Sequence, residues 1–308
     1  MRLYFHLEGL DLHMVVVTMP PDWTLSDRRA PGRLGRVLPL LLCLGLLAGC
    51  DTLKAALIGT GDEDQKRLDR PVAEIYNNAM DLLENGWYET AAKEFDEVER
   101  QHPYSVWATK SQLMAGYSHY RNQKYDEAII SLDRFIELHP GNRDAPYAYY
   151  LKALSYYEQI SDVGRDQKMT RLALEAMREV VRRFPNTSYA RDARLKLELS
   201  LDHLAGKDMA IGRYYQHRED YLAAINRYRA VIERYQTTTH VPEALHRLTE
   251  CYLALGITDE AQMSAAVLGH NFPGSRWYED SYAVLDSRNL KPQRKANSWL
   301  SWLWDWAT

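Results

Sequence analysis

Five alanines recur along the chain, each inside the same pattern of apolar residues and proline. They are Ala91, Ala128, Ala173, Ala224 and Ala261. An apolar residue, bulky in most cases, follows each alanine after four positions, a second follows after seven, and proline follows after twelve in four of the five cases. Successive alanines are 37, 45, 51 and 37 residues apart, against a period of about 34 in tetratricopeptide repeats (TPRs). The pattern predicts an all-α fold, a TPR solenoid of five helix-turn-helix repeats.

Each position of the pattern has a physical role. The alanine is expected where the second helix of a repeat crosses the first, the +4 and +7 residues are expected to pack on the next repeat, and proline ends the second helix. The +4 residues are Phe95, Leu132, Met177, Tyr228 and Ala265, and the +7 residues are Val98, Phe135, Val180, Val231 and Leu268. The +12 residues are Pro103, Pro140, Pro185, Gln236 and Pro273. Small residues stand twelve positions before the alanine, on the first helix: Ala79, Gly116, Gly212 and Thr249 in repeats one, two, four and five.

The two longest spacings predict extra chain around repeats three and four. Residues 161–168 (SDVGRDQK) are expected as an insertion between the two helices of repeat three. The first helix of repeat four is expected to be extended, from about Ser188 to Gln216. The alternative to regular repeats is an irregular all-helical domain.

The N-terminal region resembles a bacterial lipoprotein signal. Arg33 and Arg36 precede a short apolar run over residues 37–47, and the sequence Leu-Ala-Gly-Cys ends at Cys50. The run is too short to remain as a membrane-spanning helix. The combination predicts cleavage before Cys50, with lipid on its thiol and on the new amino terminus. The alternative is an uncleaved apolar segment.

This interpretation divides the first seventy residues into two parts. Residues 1–49 are a lipoprotein signal peptide, whose true start is either Met1 or Met19, because Glu8 and Asp11 are unusual so far ahead of the basic region. Residues 50–70 are then the lipid anchor and a polar tether to the first helix.

Composition and missing motifs exclude several classes of function. Residues 50–308 carry 33 Lys/Arg and 38 Asp/Glu, a mildly acidic balance that is unlike a nucleic-acid binder. Cys251 is the one cysteine outside the signal and the lipidated position, so we expect no intramolecular disulfide, and we expect Cys251 in the core. No metal-ligand, phosphate-loop or hydrolase motif is present. We therefore predict no enzyme activity, no catalytic residue, no metal, and no cofactor other than the covalent lipid.

The spacing also predicts a ligand groove on the concave face, which the first helices of the repeats line. Groove positions lie at fixed steps from the small residue of each first helix, which is Ala153 in repeat three. The predicted groove residues are Tyr76, Lys110, Tyr117, Tyr120, Arg121, Tyr147, Tyr150 and Tyr157. Aromatic rings with basic groups suit an extended peptide that bears aromatic side chains and a carboxylate. The alternative is that these tyrosines pack between helices.

Several phrases resemble one known family. They are EIYNNA (residues 74–79), QHPYSVWA (101–108), LDRFIELHP (132–140), RRFPNTSYARDA (182–193) and YYQHREDYLAAINR (214–227). Together with the lipoprotein signal and the five repeats, they make the chain similar, over roughly residues 47–285, to the BamD family of outer-membrane β-barrel assembly (BAM) lipoproteins.

The resemblance implies a non-enzymatic protein, lipid-anchored on the periplasmic face of the outer membrane. The implied partners are the periplasmic domains of the barrel protein BamA, other BAM lipoproteins, and unfolded outer-membrane β-barrel proteins. In this family the N-terminal repeats are thought to take the C-terminal signal of the substrate, which ends in an aromatic residue, while the C-terminal repeats face BamA. The alternative function is a periplasmic TPR lipoprotein that serves as a scaffold for peptidoglycan or cell-division enzymes.

The resemblance also assigns a partner contact to repeat four. The arginine of the family's Asn-Arg phrase corresponds to Arg227, and Arg218 lies nearby. Both are predicted to bind BamA, with Arg227 as an ion-pair partner. The alternative for Arg227 is a salt bridge within this chain.

A tryptophan-rich tail follows the repeats, which are expected over residues 71–288. In residues 289–308, Trp299, Trp302 and Trp306 would share one face of a helix. Because tryptophan favours the membrane interface, the tail is predicted to contact the membrane or a partner. The alternative is that its apolar side packs back on repeat five.

Overall fold

Helices follow one another along the part of the chain that the structure, a computed structural model, describes, which is residues 70–304. They are α1 (Val72–Glu84), α2 (Tyr88–Gln101), α3 (Val106–Arg121), α4 (Tyr125–Leu138), α5 (Ala145–Tyr157), α6 (Lys168–Arg183), α7 (Ser188–His217), α8 (Tyr221–Arg234), α9 (Val241–Ala254), α10 (Thr258–Asn271), α11 (Arg276–Asp286) and the short α12 (Ser301–Trp304). The predicted signal peptide, Cys50 and most of the tether lie outside these residues. None of the described helices is both long and apolar enough to span a bilayer.

The helices pair in sequence to form a TPR-like solenoid. The pairs are α1/α2, α3/α4, α5/α6, α7/α8 and α9/α10, and α11 packs on the last pair. This confirms the predicted fold class. Residues 66–308 form one compact unit, and the buried apolar clusters lie within it. The unit therefore contains its own core and folds as a domain.

The second helices end where the sequence predicts. Pro103, Pro140, Pro185 and Pro273 each stand two residues beyond the last helical residue of α2, α4, α6 and α10. The residue before each proline leaves the helical region, as His102 does at φ −132° and ψ 56°, because proline disfavours helical backbone in its predecessor. Tyr235 adopts nearly the same angles before Gln236, so the turn forms in repeat four without proline.

The five alanines are fully buried at the helix crossings, as predicted. The +4 side chains pack against the first helix of their own repeat, a contact that the prediction of packing on the next repeat missed. A Cβ atom at Gly116 would lie 2.9 Å from Leu132, and one at Gly212 would lie 2.5 Å from the Tyr228 ring. The small residues of the first helices thus make room for the +4 side chains.

The predicted irregularities of repeats three and four are confirmed. Residues 158–167 form the insertion between α5 and α6, and α7 has 30 residues. The inserted segment is held on α7, because His203 Nε2 lies 2.9 Å from the Ser161 carbonyl oxygen and Lys207 Nζ donates to the Gly164 carbonyl at 2.9 Å. The N-terminal part of α7 packs on α6, and its C-terminal part packs on α8.

The tail returns over repeat five and completes its core. Leu300 and Leu303 are fully buried, and Asn271 Nδ2 donates to the Leu303 carbonyl at 2.9 Å. Trp299 precedes α12 and does not share a helical face with Trp302, so that prediction is wrong, while Trp306 lies outside the described residues. Residues 289–304 instead pack on repeat five, which was the alternative to a contact with the membrane or a partner.

Cys251 is a core residue, as predicted. Its side chain is fully buried in the cluster of repeats four and five. Burial raises the pKa of its thiol to about 12, so the thiol is neutral and unreactive at physiological pH.

Candidate functional site

Most of the tyrosines predicted from spacing do meet on one surface. α3 contributes Tyr117 and Tyr120, and α5 contributes Tyr147 and Tyr150. Tyr147 packs, like Tyr117 and Tyr120, against the buried cluster of α3, α4 and α5, and its ring centroid lies 5.5 Å from that of Tyr189. Burial raises the pKa of its hydroxyl, and the neighbouring Tyr117, Tyr189 and Tyr120 raise it further. We call this surface the tyrosine groove, formed by Tyr88, Tyr117, Tyr120, Arg121, Tyr147, Tyr150 and Tyr189.

Arg121 supplies the positive charge of the tyrosine groove at its α2 end. Its Nη1 donates to the Tyr117 hydroxyl at 2.8 Å, and its Nη2 donates to the Tyr88 hydroxyl at 2.7 Å. The guanidinium also lies over both rings, 5.7 Å from the Tyr117 centroid and 5.0 Å from the Tyr88 centroid. These contacts orient an exposed cation whose remaining N–H groups are available to a carboxylate. Tyr88 was missed by the sequence analysis because it belongs to a second helix.

The first turns of α7 form the other wall of the tyrosine groove. The Tyr189 ring centroid lies 5.5 Å from that of Tyr147 and 5.3 Å from that of Tyr150. The Tyr150 hydroxyl donates to Asp192 Oδ2. Asp192 also pairs with Lys196 at 2.8 Å. Sequence reasoning stopped at repeat three and missed these α7 residues, although 189, 192 and 196 follow helical spacing.

One further predicted residue, Tyr157, flanks the tyrosine groove beyond its members Tyr120 and Tyr150. The Tyr120 hydroxyl points to Glu158 Oε1 at 3.5 Å, and burial raises the pKa of Tyr120 to about 12. Tyr157 is half-buried, with Lys196 Nζ 5.7 Å from its ring centroid. Burial also raises the pKa of Tyr150, so Tyr120 and Tyr150 are neutral hydrogen-bonding groups over the whole physiological range.

Tyr76 and Lys110 do not belong to the tyrosine groove. Tyr76 is only 4% exposed and packs between Phe95 and Trp107, with ring centroids 5.6 and 4.7 Å away, so its prediction as an open groove residue is wrong. Lys110 lies over the Tyr76 ring, 5.2 Å from its centroid. Lys110 lines a separate recess of about 530 Å³ together with Asn142.

The two arginines predicted to bind BamA are exposed and engaged within the chain. Arg227 Nη1 lies 3.2 Å from Asp208 Oδ1, and its side chain is 45% exposed. Arg218 donates to the Tyr214 hydroxyl at 3.0 Å and lies 5.7 Å from the centroid of that ring. The intramolecular salt bridge that was the alternative for Arg227 is thus present, and a partner contact stays a prediction for both residues.

The chain matches known proteins across the described repeats. A family model described as YfiO, an outer membrane lipoprotein, matches residues 68–268. The chain is 45% identical over 254 residues to outer membrane protein assembly factor BamD of Rickettsia prowazekii, covering 82% of this chain and 98% of that protein. The chain belongs to the BamD (YfiO) family.

Two further BamD relatives support this membership. Identity is 56% over 224 residues with BamD of Caulobacter vibrioides, covering 73% of each protein. With BamD of Neisseria meningitidis it is 36%, covering 77% of this chain and 91% of that one. Among solved structures, a TPR protein of Thermus thermophilus matches 70% of this chain and 98% of its own length at 17% identity and a TM-score of 0.33.

The BamD family match separates two parts of this chain. The tyrosine groove, Arg218 and Arg227 lie inside the matched residues 68–268, whereas the tail lies beyond them. Among residues 70–304, no cluster of three or more His, Cys, Asp or Glu side chains is arranged to hold a metal ion.

A half-buried polar network joins α7 to α9 in this BamD-family chain. Glu250 accepts hydrogen bonds from Gln216 and Arg247, both at 2.9 Å, and lies 3.4 Å from His246 Nε2. Burial by itself would raise the pKa of Glu250, but the contacts with His246, Gln216 and Arg247 outweigh it and lower the pKa to about 2. The carboxylate therefore stabilises the fold in its ionised form.

We expect the Glu250→Gln variant to be less stable than the parent at neutral pH by about 2 kcal/mol. Because the folded pKa of Glu250 is lowered, its contribution is complete above the unfolded pKa and disappears as the pH falls through that value towards about 2. Urea unfolding of residues 66–308 at several pH values measures this. The parent should lose more stability than the variant between neutral and acidic pH. Equal slopes would contradict the prediction, and the exposed Glu84→Gln variant is the control.

Proposed function

We propose that this chain is a non-enzymatic lipoprotein of the BAM machinery, acting at the periplasmic face of the outer membrane. The observation that carries the proposal is the 45% identity that extends over 98% of the Rickettsia BamD. That relative is named an outer membrane protein assembly factor. Helical repeats supply an extended surface for holding other chains.

Attachment to the membrane is proposed through lipid on Cys50. Acyl chains on the thiol and on the new amino terminus together anchor a protein stably, whereas one chain is marginal. A Cys50→Ser variant is expected in the soluble periplasmic fraction instead of the membrane fraction. In the proposed arrangement, the parent protein and the other BAM lipoproteins are attached to the same membrane surface.

The tyrosine groove is proposed to bind unfolded outer-membrane β-barrel proteins through an extended segment that ends in an aromatic residue. The ring faces of Tyr117, Tyr120 and Tyr147 can stack on aromatic side chains of the peptide. Arg121 is held by two phenols and still presents N–H donors, so it suits the terminal carboxylate. No covalent chemistry is required of this surface.

Peptide affinity tests the tyrosine groove. A fluorescent peptide with a free C-terminal phenylalanine should bind residues 66–308, and its amidated and alanine-terminated versions should bind more weakly. Arg121→Gln is expected to weaken binding about tenfold through loss of a charge-assisted bond, and to abolish the preference for the free carboxylate. Tyr120→Ala should weaken binding about fivefold through loss of ring stacking. The controls are Tyr104→Ala and Arg178→Gln, since Tyr104 is fully exposed and Arg178 is exposed. An equal loss of peptide affinity in these controls would contradict peptide binding in the tyrosine groove.

BamA binding is proposed at Arg227 and Arg218. Both cations are accessible, and Arg227, whose side chain is 45% exposed, can exchange its bond to the less exposed Asp208 for an acidic group of the partner. Affinity purification of the tagged, lipidated protein in mild detergent should recover BamA. The Arg227→Glu variant should lose it, and the exposed Arg191→Glu control should retain it.

The outcomes of that purification separate the alternatives. Recovery of BamA with the parent and with Arg227→Glu would keep the assembly role and remove Arg227 from the interface. Recovery of peptidoglycan or cell-division enzymes without BamA would replace the proposed function by the scaffold alternative.

A further inference from the structure

The tail is a cationic segment in an acidic protein. From Arg288 to the end of the sequence there are four basic residues, Arg288, Lys291, Arg294 and Lys295, and one acidic residue, Asp305, while the whole chain has a net charge of −4. Lys295 is paired with Asp259 at 2.8 Å. Arg288 donates to the Leu253 carbonyl at 2.8 Å. Because a carbonyl is neutral, this bond does not compensate the charge of the guanidinium. The segment therefore concentrates positive charge at the C-terminal end of the solenoid.

The last repeat fixes the tail as a rigid support for its outward side chains. Leu300 and Leu303 are buried, whereas Trp302 between them is 40% exposed. Trp299 Nε1 donates to the Tyr252 hydroxyl at 3.1 Å, which fixes the segment ahead of α12. The exposure of Trp302 is thus set by the packing of its neighbours.

Aromatic and basic side chains meet where the tail crosses the end of α10. The Trp304 ring stacks on His270 at 4.1 Å with an interplanar angle of 6°, and the Arg294 guanidinium lies 5.2 Å from the Trp304 centroid. Tyr278 packs against Gly269, the neighbour of His270, and contacts exposed Tyr282 at a centroid distance of 6.3 Å. We use the name tail patch for the exposed and half-exposed side chains of the tail and of the helix ends beside it: His270, Tyr282, Lys291, Arg294, Trp302 and Trp304.

We propose that the tail patch binds the surface of an anionic phospholipid bilayer. Tryptophan and tyrosine favour the headgroup region, where the ring enters an apolar layer and its polar edge stays hydrated. Lysine and arginine beside them attract headgroup phosphates. The charge of residues 287–308, four basic side chains and one acidic one, complements an anionic membrane and opposes that of the rest of the chain. The patch adds a second, non-covalent membrane contact to the lipid proposed at Cys50.

Vesicle co-sedimentation of residues 66–308 tests the tail patch, because this unit folds without Cys50. It should bind vesicles made of equal parts phosphatidylcholine and phosphatidylglycerol, and bind pure phosphatidylcholine vesicles far more weakly. Lys291→Gln/Arg294→Gln is expected to weaken binding by about fivefold per cation, which corresponds to about 1 kcal/mol each. Trp302→Ser, which leaves Leu300 and Leu303 in place, should weaken binding to both types of vesicle.

Matched changes elsewhere on the solenoid serve as controls. Trp87 is 65% exposed, against 40% for Trp302, so Trp87→Ser removes an even more accessible ring at the opposite end. Arg178→Gln/Arg191→Gln removes two exposed cations. Controls that reduce vesicle binding as much as the tail variants, or failure of the parent to bind anionic vesicles at low salt, would overturn the proposal. Neither result bears on BamA or peptide binding, since the vesicles contain no protein.

Discussion

Replacing Gly212 by valine is expected to lower the free energy of unfolding of residues 66–308 by about 3 kcal/mol. A Cβ atom at this position would lie 2.5 Å from Cε1 of Tyr228. Tyr228 cannot move aside, because it is fully buried and its hydroxyl donates to Gln216 Oε1 at 2.8 Å. The clash must separate α7 from α8 at their crossing, and the higher helix propensity of valine over glycine offsets little of that cost.

Chemical denaturation monitored by circular dichroism measures this effect. Gly141→Val is the control, because a Cβ atom at Gly141 meets nothing within 4 Å. A Gly212→Val/Tyr228→Leu double variant should lose less than the sum of the two single variants, since the smaller side chain makes room for the added methyl groups. Unchanged stability of Gly212→Val would show that α7 and α8 do not cross as closely as described.

The repeat architecture could be predicted because its determinants are local and recur. The buried alanines, the helix-ending prolines and the 30-residue α7 (Ser188–His217) follow from spacing alone, since each repeat packs mainly on its neighbours. The same logic placed Tyr117, Tyr120, Tyr147 and Tyr150 on one surface. These positions lie at fixed steps from a small residue on each first helix, so their directions repeat.

Tyr76 shows where that logic failed. It stands three positions before its small residue, Ala79, and the equivalent Leu113, three before Gly116, is buried as well. This position faces the second helix of its own repeat, because Tyr76 contacts Phe95 of α2. The position three before the small residue is therefore buried in repeats one and two, where packing takes priority over exposure. In repeat three the same position is Tyr150, three before Ala153, and it lies in the tyrosine groove.

The packing of the tail could also have been inferred from α10. Met263, Ala266 and Val267 stand two, five and six positions after Ala261, where repeat one has Lys93, Asp96 and Glu97. The outer face of α10 is thus apolar where the outer face of α2 is charged. A terminal repeat normally needs a polar outer face, so an apolar one indicates that another segment covers it. The sequence analysis named the tail as a candidate for this segment but could not set its register, because the tail has no repeat period.

Leu300→Ala/Leu303→Ala is expected to destabilise repeat five by about 5 kcal/mol, because each truncation leaves a cavity in a closed core. In a solenoid this loss stays local. Hydrogen exchange should therefore accelerate in α9 and α10, where Met263 and Val267 lose their cover, and remain unchanged in α1 to α4. The exposed Leu138 and Leu199 provide Leu138→Ala/Leu199→Ala as the matched control.

The same variant connects stability to the proposed membrane contact. Release of the tail would separate Trp304 from His270 and scatter the tail patch, so vesicle binding should fall even though every member of the patch is still present. Trp302→Ser should instead reduce vesicle binding and leave exchange in α10 unchanged, because its side chain points away from the core. Unchanged exchange in α10 after the double leucine replacement would mean that the tail does not cover repeat five. Membrane contact by its tryptophans would then come from a flexible segment and not from a fixed surface.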